Sequence, residues 1–200
     1  MNFKEQPEYL RGHESENELK KIMEGAGHVL MSLHAIEEGG APSVTASNGD
    51  QIVLPDFQTF RSFGASQAFV EVKDKTKPSW YRLYDRWEHG IDYAHFKAYQ
   101  RCQDETGVKI CITLKQHWTP RDLNIGEEPG NLISSEQWLS IWLNLAKDCG
   151  ERRELWPKRD GNKNDLGKKN LGGWLWPLKR MMPMNFESPL PPNIDPTEFW

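Results

Sequence analysis

The clearest alternation of apolar and polar positions falls at residues 68–73, AFVEVK. Ala68, Val70 and Val72 take one side, and Phe69, Glu71 and Lys73 take the other, the period of two that marks a strand. Upstream, residues 51–60 (QIVLPDFQTF) read as a second strand, interrupted at Pro55, and the RSFGASQ stretch supplies a turn. Two such runs joined by a short turn predict a hairpin. VKICITL at 108–114 alternates again and predicts another strand. Helical spacing occurs at 15–26, where Leu19, Ile22, Met23 and Ala26 share a face and Ser15 with Glu18 fits a capping box. Gly25 and Gly27 offer exits into a strand at 28–36, and a Gly-, Ser- and Asn-rich loop follows over 37–50. A second helix is predicted at 92–105, ended by Gly107. A third is predicted at 134–149, with Ser134 and Gln137 as cap, Trp138, Ile141, Trp142 and Leu145 as buried stripe, and Gly150 as stop. Residues 74–91 are charged and aromatic and read as an excursion. The last 18 residues hold five prolines, which predicts an extended tail. The order of elements suits an α/β fold with a central mixed sheet flanked by helices.

Composition narrows this picture. The chain has 200 residues, 37% hydrophobic and 27% charged, which is globular rather than disordered. Its net charge of −4 excludes a chain that binds nucleic acid by bulk charge, so any attraction to phosphates must be local or carried by a metal. Residues 151–180 have such a local bias, nine Lys and Arg against four acids. Cys102, Cys111 and Cys149 are too dispersed for a zinc knuckle or a disulfide framework. The polar N-terminus does not read as a signal peptide, and no apolar run is long enough to span a bilayer, so a cytoplasmic protein without a membrane partner is expected.

The hairpin brings chemistry together. Glu71 and Lys73 share one strand face, and Asp56 stands on the neighbouring strand within reach of it. Two carboxylates and a nearby backbone carbonyl make a hard-oxygen site suited to Mg²⁺, which keeps several waters. A metal there can polarise a phosphoryl oxygen and acidify a bound water. A lysine two residues beyond the second carboxylate can orient that water or balance charge developing on phosphorus.

The Pro55-Asp56 … Glu71-Val72-Lys73 pattern resembles the PD-(D/E)XK nuclease superfamily, which includes restriction endonucleases and archaeal-type Holliday-junction resolvases. The resemblance covers residues 16–73 and the helix and strand at 92–114. It implies a restriction-endonuclease-like nuclease core over 1–120. Outside the resemblance, residues 121–182 read as a helix and a basic, Trp-rich extension packed on that core, and 183–200 as the Pro-rich tail. The resemblance implies that Asp56, Glu71 and the Val72 carbonyl bind Mg²⁺, for which Mn²⁺ can substitute, and that Lys73 serves the water. The family's helix glutamate corresponds to Glu16, because Leu19, Met23 and Gly27 follow it at the family's spacing, whereas from Glu18 the spacing fails at Lys21. Tyr99, Gln100 and Gln103, on the helix after the motif, become candidates facing the site. The implied reaction is hydrolysis of DNA, in preference to RNA, to a 5′-phosphate and a 3′-hydroxyl, in phage biology, recombination, repair or defence. Resolvases of this type act as dimers, so a homodimer is a further implication.

Plainer readings stand beside these. Glu71 and Lys73 also fit an exposed ion pair, Asp56 a turn residue after proline, and Glu16 an acid in a first helical turn. Glu18 fits the cap. His89, Asp92 and His95 lie close in sequence without the spacing of a helical zinc site, and they read better as surface or substrate contacts, with His89 the candidate for substrate. Trp80, Trp87, Trp174 and Trp176 lie among Lys77, Arg82, Arg86, Lys179 and Arg180. Such interleaving serves stacking on unpaired nucleotides or a packed aromatic subcluster. Lys75, Lys77, Arg82, Arg86, Lys168 and Lys169 are the candidate phosphate contacts. Two other functions fit the chain: a nucleic-acid-binding or assembly protein that keeps the fold without the chemistry, and an interaction protein docking through the Pro-rich tail and Phe199-Trp200.

Overall fold

The structure is a computed structural model and describes residues 6–33, 42–61, 64–75, 78–117, 137–153 and 172–184. Lys77, Ser134, Lys168, Lys169 and the tail beyond Met184 lie outside the described residues.

Among the described residues, three helices and twelve strands build a mixed α/β fold. They are α1 (Pro7–Gly25), β1 (His28–Ser32), β2 (Ser43–Thr45), β3 (Gln51–Val53), β4 (Phe57–Arg61), β5 (Gly64–Lys75), β6 (Ser79–Tyr81), β7 (Arg86–Asp92), α2 (Tyr93–Thr106), β8 (Lys109–Gln116), β9 (Gln137–Trp142), α3 (Leu143–Cys149), β10 (Glu151–Arg153), β11 (Gly173–Pro177) and β12 (Met182–Pro183). A central six-stranded sheet has the order β1-β4-β5-β8-β9-β12, in which only β5 and β8 pair in parallel. A four-stranded antiparallel sheet has the order β10-β11-β7-β6, and β2 pairs with β3.

The predicted hairpin is β4–β5, with Phe57 opposite Val70. Alternation along β5 then divides the molecule. Val70 and Val72 face α1 and pack with Leu19, Met23, Phe57 and Trp138. Phe69 faces the other way, into a larger core with Phe96, Tyr99 and Cys102 of α2, Ile110, Ile112 and Leu114 of β8, and Trp176 of β11. Helix α2 ends where expected, at Gly107, whose positive φ of 68° suits a residue without Cβ.

Three expectations are corrected. Helix α1 begins at Pro7, a favoured first helical residue, so Ser15 lies inside it and is no cap. Ser15 is buried and donates to Asp74 Oδ2 at 2.9 Å. Glu18 is likewise no cap partner, since it pairs with Lys115 and accepts from Trp138 Nε1 at 3.1 Å. The predicted helix at 134–149 is a strand over 137–142 and a helix only over 143–149. Pairing between β8 and β9 overrides the helical spacing, and burial follows the strand period: Leu139 and Ile141 enter the larger core while Trp138 faces α1. The excursion at 74–91 is the β6–β7 hairpin, the outer half of the second sheet.

The four tryptophans of the excursion and the C-terminal part form packed contacts. Trp80 and Trp87 meet edge to face at 5.1 Å, Trp174 stacks on Phe96 at 4.4 Å, and Trp176 is fully buried. These contacts support the packed subcluster, and Trp176, fully enclosed, is not open to base stacking. Among the described residues, no helix is long and apolar enough to cross a membrane.

Candidate active site

The site forms where β4 starts and β5 runs past it. Pairing of the two strands ends at Phe57 and Val70, so the edge of β5 beyond Val70 is open on the β4 side. Pro55 donates no hydrogen bond there. Asp56 fills part of the gap: its Oδ2 accepts the Val72 backbone N–H at 2.7 Å, and its carbonyl accepts from Leu33 at 2.9 Å. In an extended strand the N–H and C=O of one residue leave on the same side. The Val72 carbonyl therefore faces the same edge as Asp56.

Glu71 points into the opposite core from Val72 and is 1% exposed. One carboxylate oxygen, Oε1, is ion-paired with Lys73 Nζ, and the other, Oε2, has no hydrogen-bond partner among the described residues. Burial pushes the Glu71 carboxyl up to about 7, the Asp56 charge adds to this, and Lys73 and the Tyr99 hydroxyl oppose it. Lys73 is held above its ordinary value: burial works against its charge, but Glu71 and Asp56 outweigh it. Burial also raises Tyr99 well above the usual tyrosine range, reinforced by the nearby Glu71.

The candidates taken from the sequence divide into two groups. Asp56, Glu71, Val72, Lys73 and Tyr99 come together. Glu16 lies on α1, which packs on the Val70–Val72 side of the sheet, and its Oε2 is 3.2 Å from His13 Nδ1. Gln103 bridges Asn144 and the Ile110 backbone, and Gln100 is half-buried on α2. His89 is buried and hydrogen-bonded to Gln116 at 3.0 Å, and burial lowers its pKa to about 4. Arg82 is exposed in the β6–β7 turn, whereas Arg86 is ion-paired with Glu88 and Glu151. Lys75 extends the Glu71–Lys73 face.

His95 and Asp92, read from the sequence as surface or substrate contacts, stand beside the site. His95 stacks on Tyr99 at 6.2 Å, and burial and then the Lys73 charge lower its pKa. Asp92, the residue before α2, acts on both Lys73 and Lys75. The four-residue step from His95 to Tyr99, one helical turn, was the available signal.

The donor set can be tested against a metal. Among the described residues, no group of three or more His, Cys, Asp or Glu side chains could hold an ion. Two carboxylates and one carbonyl still suit Mg²⁺, because it retains waters and needs few protein ligands. The unpartnered Oε2 of a buried glutamate beside a second carboxylate is a place that a cation would satisfy. The residues present therefore fit the group.

No family model matches the chain, and no curated protein matches it. Among solved structures, the chain is similar to the Holliday junction resolvase Hjc of Archaeoglobus fulgidus, an archaeal hyperthermophile. That similarity has 12% identity and a TM-score of 0.44, over 84% of this chain and 85% of that one.

Proposed function

We propose that this chain is a metal-dependent nuclease that hydrolyses phosphodiester bonds in DNA at Asp56, Glu71 and Lys73. The observation that carries the reading is the buried Glu71 carboxylate next to Asp56, with Oε1 on Lys73 and Oε2 unpartnered among the described residues. Such a group costs about 1–3 kcal/mol when left unsatisfied, so its retention points to a ligand.

Asp56, Glu71 and the Val72 carbonyl would hold Mg²⁺. When bound, the ion supplies Lewis acidity toward a phosphoryl oxygen and lowers the pKa of a coordinated water. The chain's own residues do the rest. Asp56 is fixed by the Val72 N–H, so its geometry is set before any ligand arrives. Lys73 stays protonated and points along the Glu71 face, where it positions the attacking water and offsets negative charge growing on phosphorus. Tyr99 stays neutral beside Glu71 and closes the site on the α2 side. Water adds to phosphorus, the bond to the 3′ oxygen breaks, and a 5′-phosphate and 3′-hydroxyl result. The test is a cleavage panel over duplex, single-stranded and branched DNA and RNA, in Mg²⁺ and in EDTA. Cleavage of at least one DNA form that EDTA abolishes is expected, and cleavage that persists in EDTA would sink the reading.

A second reading, a DNA-binding protein without the chemistry, is favoured by the lack of a third ligating side chain among the described residues. Binding without turnover in either Mg²⁺ or Mn²⁺ would select it.

A further inference from the structure

Lys75 continues the Glu71–Lys73 row by one more step, on the same face of β5. Its half-buried side chain lines a cavity of about 200 Å³ between the end of β5 and the β7–β11 pair, with Ser79, His89, Ile91, Asp92 and Leu175 among the walls. Lys73 is engaged with Glu71. Among the described residues, no acceptor within hydrogen-bond distance engages the Lys75 ammonium. Burial pushes its pKa down, partly offset by the charge of Asp92. The acids around the cavity do not cancel it. Glu88 is neutralised by Arg86 and Arg153, and Asp92 lies largely in solvent, where its field is screened. A cation held partly out of water without a partner is destabilising, and such groups are kept where a ligand completes them.

Two strand steps separate Lys73 and Lys75 by about 7 Å, on the scale of the step between successive phosphates of one nucleic-acid strand. We propose that the Lys75 cavity is an anion subsite that receives the phosphate neighbouring the one positioned at Glu71 and Lys73. The identity of the ligand rests on the nuclease reading. The subsite makes the β6–β7 hairpin and β11 part of substrate recognition, because they supply the walls that hold a strand in line with the attacked bond.

The experiment compares the full chain with Lys75→Met and Lys75→Arg, binding labelled single-stranded and duplex DNA by fluorescence anisotropy in EDTA across a salt series. Thermal melting and cleavage in Mg²⁺ are measured in parallel. Lys75→Met should bind about tenfold more weakly, with a salt slope shallower by about 1, and Lys75→Arg should retain the slope. Lys75→Met should also melt at or above wild type, because an unpartnered buried ammonium has been removed. Unchanged affinity and slope in Lys75→Met would overturn the subsite while leaving the nuclease reading intact. Melting well below wild type would overturn it as well, by showing that Lys75 supports the fold. A wild type that binds no DNA in EDTA would overturn the subsite, and one that also cleaves none in Mg²⁺ would overturn both. A shallower slope in a protein that never cleaves would uphold the subsite and remove the nuclease reading.

Discussion

Glu71 has a carboxylate enclosed by protein, one oxygen on Lys73, the other without a partner among the described residues, and a second acid nearby. Its carboxyl sits at about 7 in the folded chain against an ordinary 4.5. Folding therefore favours the protonated form, and the associated stability is fully present below about pH 4.5 and is lost as pH rises through about 7. Protein stripped of divalent ions should lose thermal stability between about pH 5 and pH 8, a window taken from that shift. Glu71→Gln should flatten this loss. Mg²⁺ at pH 8 should raise the melting temperature of wild type and leave Glu71→Gln unmoved, since only wild type gains a ligand-bound carboxylate. An identical pH profile in the two proteins, or equal response to Mg²⁺, would contradict the assignment. The pairing of Asp56 with Glu71 was legible in the sequence because strand alternation and Pro55-Asp56 are local signals. The parts played by Glu18 and Ser15 were not, because each depends on a partner brought close only by packing: Lys115 and Asp74.

At the level of elements, strands with a clean period of two were read correctly, and a segment compatible with two periods was not. QWLSIW offers Trp138, Ile141 and Trp142 to a helix, yet equally offers Leu139 and Ile141 to one strand face and Trp138 and Ser140 to the other. Hydrogen bonding to β8 and β12 on its two edges decides the outcome. Leu139 separates the alternatives by experiment. A helical stripe through 138, 141, 142 and 145 leaves Leu139 off the buried face, whereas the strand buries it to 1% exposure. Leu139→Ala should therefore cost about 2–5 kcal/mol in denaturant unfolding. A loss within about 0.5 kcal/mol, the range of surface changes, would argue against β9. The second sheet was illegible for a related reason. Its short strand β11 pairs with β7 across some eighty to ninety residues of sequence, Gly173 opposite Asp92 and Pro177 opposite Glu88, β10 joins through β11, and no local period encodes either pairing. Where β7 meets β11 the approach is tight: a Cβ at Gly90 would lie 2.4 Å from the Trp174 carbonyl, so the junction that walls the Lys75 cavity requires glycine there.

Across the whole molecule, the fold gathers charge that the composition disperses. The chain is net negative, yet Lys73 and Lys75 line one face of β5, and the acids beside them are a candidate for a cation rather than a repulsive surface. The central sheet holds β5 between β4, which presents Asp56, and β8, while α2 brings Tyr99 against Glu71 and the second sheet closes the far end of the row. That arrangement gives each element a place in one account of phosphodiester hydrolysis. The most direct test is the single-turnover cleavage rate of Lys73→Ala against wild type in Mg²⁺, on the DNA form that wild type cuts best, with folding checked by circular dichroism. The account predicts a rate lower by about 10²–10⁴-fold in a folded protein. A rate within a few-fold of wild type would contradict it.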